Sequence, residues 1–134
     1  MDVTSATNER TMISSLAALA PHGNSAAILS TNRSPEALSG FLNSFVYDYV
    51  ARARCSGLHL NWFIVEETTA PKIGDTGNSR LLNIVQRLAC CSPIYAWALP
   101  KLSTPWRSGW ALTHSERLRL KTNLDVVFAA LRAR

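Results

Sequence analysis

The chain predicts an α+β fold, a small β-rich segment packed on a long helix and followed by a helical extension. Three observations lead there. Two apolar stretches, residues 10–20 and 26–30, flank the turn-forming group Pro21-His22-Gly23-Asn24, which suits two strands joined by a turn. A capped, periodic segment follows over residues 35–54. The remainder carries apolar spacing of helical period. The 134 residues suffice for a modest core, and the polar run of residues 66–78 places an internal boundary near residue 74. The expected parts are therefore 1–74 and 75–134.

Taken in order, the first stretch is Ala-rich and alternates loosely, so a helix competes with the strand reading. Ser34 suits an N-cap, Pro35 the first helical position and Glu36 the positive helix end. Leu38, Phe41, Leu42, Phe45 and Tyr49 then mark one buried face of a helix over 35–54. Arg52 and Arg54 suit its C-terminal end, and Gly57 can close it. Leu58 to Val65 is aromatic and β-branched, which predicts a short strand. Leu81, Ile84, Val85 and Leu88 form the stripe of a helix over 79–91. Thr113-His114-Ser115-Glu116 fits a capping box, in which Glu116 would reach back to the cap residue's amide. Leu120, Leu124, Val127, Phe128 and Leu131 line one side of the terminal helix.

Composition excludes several classes. A hydrophobic share of 47% with 17% charged residues describes a globular chain. No run reaches the ~18 apolar residues of a membrane helix. Residues 12–20 imitate a signal peptide, but Asp2 and Glu9 stand before them against Arg10 alone. The three cysteines, Cys55, Cys90 and Cys91, are expected to be idle thiols in a reducing cytoplasm. The three histidines lack zinc-ligand spacing, and no nucleophile motif occurs. Charge is uneven: residues 1–67 hold four Lys/Arg and six Asp/Glu, whereas residues 68–134 hold ten and three. A basic half can attract a phosphate backbone, or can simply be a solvated surface.

Three stretches carry a resemblance in one order. They are Thr7-Asn8-Glu9-Arg10-Thr11, the segment Asn43 to Ile64 with its Gly57-Leu58-His59-Leu60-Asn61 turn, and Glu116 to Lys121 with Leu124-Asp125. Together they resemble the C-terminal target-recognition region of adenine-specific (N6) DNA methyltransferases of type IIG restriction-modification systems. The resemblance implies a bacterial, cytoplasmic protein of restriction-modification or phage defence that binds double-stranded DNA. It also implies a separately encoded methyltransferase or endonuclease subunit as a partner. The family's catalytic Asn-Pro-Pro-Tyr motif and Gly-rich loop are absent from this sequence, so a detached or truncated piece is expected. No catalytic residue, metal or cofactor is assigned to it; S-adenosylmethionine would belong to the missing catalytic domain.

Cations for phosphates and planar groups for base edges make Arg10, Arg33, Arg52, Arg54, His59 and Asn61 the candidate DNA contacts. Lys101 and Arg107, interleaved with Trp106 and Trp110, add a patch suited to stacking on bases. Each has a structural reading beside it. Arg52 and Arg54 serve equally as helix-terminal cations, His59 and Asn61 as a turn closing the helix, and Asn8 and Arg10 as pins for the first strand. The competing functions are a module docking on another subunit through helices 79–91 and 114–132, or a non-functional gene fragment.

Overall fold

A computed structural model describes residues 4–5, 7–17, 21–23, 26–55, 57, 59–70, 79–95 and 109–132. Among them the architecture is helical: α1 (Pro35–Leu42), α2 (Phe45–Arg54), α3 (Trp62–Glu66), α4 (Ser79–Ala89) and α5 (His114–Arg132). No sheet is present among the described residues, which corrects the α+β expectation. The boundary near residue 74 lies outside them, and residues from both sides of it share one core.

That core joins Ala37, Phe41 and Leu42 of α1 to Tyr47 and Ala51 of α2, Ile64 of α3, Leu81, Ile84 and Val85 of α4, and Leu120, Leu124 and Phe128 of α5. Phe41 stands at its centre. Its ring meets Tyr47 edge-on at 5.2 Å between centroids, and Phe128 at 5.5 Å. The apolar stripes expected for α4 and α5 face this core. Gly40 lets α1 approach α4, because a Cβ at that position would stand 2.6 Å from Val85 Cγ2.

The single helix expected over 35–54 is two. Ser34 caps α1 as its sequence position suggests, accepting from the Ala37 amide at 3.2 Å. The chain then leaves the helix at Asn43-Ser44 and restarts, with Ser44 accepting from Tyr47 N at 3.2 Å. Asp125 of α5 takes the Phe45 amide at 2.6 Å. Two amides at the start of α2 are thus satisfied by side chains that a continuous helix would leave idle. The restart shifts the helical phase: Tyr47, Asp48 and Ala51 turn inward, while Phe45 and Tyr49, expected in the core, are 61% and 69% exposed. Nor does Gly57 close α2. Cys55 caps it, and no described glycine has positive φ.

The strand expected at 58–65 is replaced from Trp62 onward by α3. A strand needs a neighbour to bond its amides, whereas this turn is completed locally. Asn61 O accepts from Ile64 N at 3.1 Å, Thr68 Oγ1 donates to Ile64 O at 2.8 Å, and Arg54 donates to Glu67 O at 3.3 Å and Thr68 Oγ1 at 3.0 Å. Arg54 is therefore a cation at the C-terminal end of α3, where the helix dipole favours it.

The strand-turn-strand expected over 10–30 fails for a related reason. Residues 10–17 and 26–30 lie outside any helix or strand, residues 18–20, 24 and 25 fall outside the described ones, and side chains bond the backbone of the first stretch where a sheet partner would. The Asp48 carboxylate, buried to 3% exposure, accepts from Thr11 N at 2.7 Å and Met12 N at 2.9 Å. Asn43 pairs with Ser14 as a neighbouring backbone would, accepting from its amide at 3.1 Å and donating to its carbonyl at 2.9 Å.

Two outcomes follow from these contacts. Asp48→Ala leaves two backbone amides without their acceptor and takes the carboxylate from Arg52, and urea unfolding should register a loss of about 3 kcal/mol. Gly40→Ala gains helix propensity of about 1 kcal/mol but overpacks Val85 by about 1–3 kcal/mol, so it should destabilise. Adding Val85→Ala should recover part of that loss, a coupling that a double-mutant cycle measures.

Candidate nucleic-acid interface

The expected DNA contacts divide by what already holds them. Arg52 is engaged inward: its Nη2 donates to Asn8 O at 2.9 Å, Glu9 O at 3.0 Å and the Asp48 carboxylate at 3.1 Å. It secures the N-terminal segment to α2. Arg54 closes α3. Arg10 lies 4.0 Å from Asp125, the residue that also receives the Phe45 amide. Arg33, His59 and Asn61 are exposed, and Asn61 caps α3 through its backbone without a side-chain cap bond. Lys101 and Arg107, with Trp97 and Trp106, lie outside the described residues.

Other cations are consumed by the α4–α5 junction. Arg87 pairs with Glu116 in the first turn of α5. The Thr113 half of the expected capping box forms, with Glu116 N donating to Thr113 Oγ1 at 3.2 Å, but the Glu116 carboxylate faces Arg87. Arg117 donates to Leu88 O and Ala111 O, both at 3.2 Å, and so covers the carbonyl end of α4. Arg119 and Lys121 of α5 are exposed. Sequence reasoning had passed over both as candidate contacts; their place in the polar phase of the α5 stripe was the available signal.

Two open grooves flank the segment Met12 to Ser15, which borders both. The first, about 650 Å³, lies between this segment and α1, α4 and α5; Arg10, Arg117 and Lys121 stand on it beside Glu9. The second, about 690 Å³, is more apolar, with Leu38, Leu42, Leu60, Trp62, Val65 and Tyr95 among its lining. No cluster of three metal-ligating side chains exists among the described residues, and no described helix is long and apolar enough to cross a membrane.

The thiols are free, with Cys55 and Cys90 buried. Burial pushes the Cys90 thiol up to about 11, with Cys91 and Glu36 adding to the rise. Burial likewise raises the Tyr47 phenol, against an opposing pull from Thr68 and Arg54. A raised pKa means the folded state keeps its proton after the unfolded chain has lost it. The Cys90 contribution to stability is thus complete below pH 9.0 and lost as pH rises towards about 11. Denaturant midpoints across that window should fall in the wild type and fall less in Cys90→Ala.

No family model, curated protein or solved structure matches this chain.

Proposed function

We propose that the chain is a non-catalytic DNA-binding module associated with an N6-adenine methyltransferase of a restriction-modification or phage-defence system. The observation that carries this reading is the charge asymmetry, ten basic against three acidic residues in 68–134. Exposed Arg119 and Lys121 belong to that basic half and suit phosphate contact. Link to a methyltransferase rests on the three ordered sequence stretches quoted above. Arg33, His59 and Asn61 remain the proposed base-edge or backbone contacts, and Lys101 and Arg107 are proposed as phosphate contacts by residue type alone. With Arg52 and Arg54 tied to backbone carbonyls, their substitution would act on DNA binding chiefly through the fold.

A second reading is favoured by one observation. Phe45 and Tyr49 stand on successive turns of α2, and Leu118 and Val126 on α5 are more than half exposed. The Phe45–Asp125 bond sets the start of α2 against the middle of α5, beside Val126. Such large apolar groups suit docking on a methyltransferase subunit.

Duplex DNA binding measured over a salt series tests the first reading. Phosphate contact by Arg119 and Lys121 should give a steep slope, shallower by roughly 0.9 per contact in Arg119→Ala/Lys121→Ala. Absence of binding at ~50 mM salt contradicts it. Cosedimentation with a co-encoded methyltransferase subunit, abolished by Phe45→Lys/Tyr49→Lys, would establish the second.

A further inference from the structure

The first groove has the make-up of a small-molecule site. Its volume of about 650 Å³ falls within the ~300–1,000 Å³ usual for ligand pockets. Gly40, Val85, Leu88 and Leu124 supply an apolar floor. The missing Cβ at Gly40 keeps that floor closely packed against Val85. One wall is polar but self-satisfied, since Ser14, Ser39 and Asn43 bond to one another. Three cations against Glu9 leave the rim positive.

Those cations are not equally committed. Arg117 is held by two carbonyls. Lys121 is exposed. Arg10 reaches Asp125 through Nη2 at 4.0 Å, too long for a hydrogen bond. Its Nη1 is shielded from solvent and has no hydrogen-bond partner among the described residues. A buried guanidinium N–H without an acceptor is costly, and because the side chain as a whole is 29% exposed, a turn of the guanidinium presents that N–H to an anion in the groove. The planar fork of arginine suits a head group bearing two or more oxygens.

We propose that this groove binds a small organic anion, its carboxylate or phosphate head taken by Arg10 and Lys121 and its short apolar body laid on Val85, Leu88 and Leu124. Both heads share the chemistry, and the probes separate them. Five probes are titrated into the full isotope-labelled chain while amide shifts are followed: hexanoate, hexyl phosphate, hexanol, acetate and inorganic phosphate. Saturable shifts at Arg10, Gly40, Leu88 and Lys121 are expected with hexanoate or hexyl phosphate, the tighter of the two giving the preferred head. Hexanol, lacking charge, and acetate and phosphate, lacking a tail, should bind roughly tenfold more weakly. Arg10→Gln should weaken the preferred probe by roughly tenfold. Arg10→Lys should fall between, keeping charge but losing the fork. Because Lys121 is exposed, Lys121→Gln keeps the fold and should weaken binding a few-fold. Equal binding of hexanol and the charged probes overturns the proposal. So does the absence of a saturable shift, or shifts confined to Leu38, Trp62 and Tyr95 in the other groove.

Discussion

The structure depends on one buried carboxylate. Asp48 gathers the Thr11 and Met12 amides and the Arg52 guanidinium around two oxygens, and Arg52 extends the hold to the carbonyls of Asn8 and Glu9. A charge removed from water is tolerated when its partners satisfy it, and three donors do so here. The consequence is a chain segment laid across the helices without a sheet to hold it. Asn43 repeats the device at Ser14, so the break between α1 and α2 and the path of the N-terminal segment have a common cause. Both grooves have this segment as a wall.

The same economy governs the arginines. Arg52, Arg54, Arg87 and Arg117 each meet carbonyls or carboxylates at junctions between short elements. Short helices expose a high proportion of unpaired end groups, and long cationic side chains reach them across gaps. A basic sequence is therefore partly an internal requirement of this fold, and only cations left outside those junctions are available to phosphate. That distinction moves the proposed DNA surface away from the end of α2 and onto α5.

Much of the helical framework was legible in the sequence. Ser34-Pro35-Glu36 marked the start of α1, and the stripes from Leu81 and from Leu120 identified α4 and α5 with their buried faces. What failed were the places where a distant side chain decides the local structure. Periodicity runs unbroken from Leu38 to Tyr49, and nothing local reveals that Asp125, 80 residues from Phe45, receives the first amide of α2. Trp62 to Val65 has strand composition, but Arg54 and Thr68 complete a helical turn there. The segment from Arg10 has strand-like backbone demands, met by Asp48 and Asn43. For the candidate site, residue type flagged Arg10 but could not reveal its half-committed geometry, and it could not separate exposed cations from those closing helix ends.

Residue-resolved amide hydrogen exchange in the unmodified chain tests the central claim most directly. Side-chain anchoring requires protection at Thr11, Met12 and Ser14 approaching that of the helical core, with rapid exchange at the exposed Ile13 between them. Protection alternating regularly along residues 10–16 and matched by an equal pattern over 26–30 would mean a paired strand ladder, and would contradict the account.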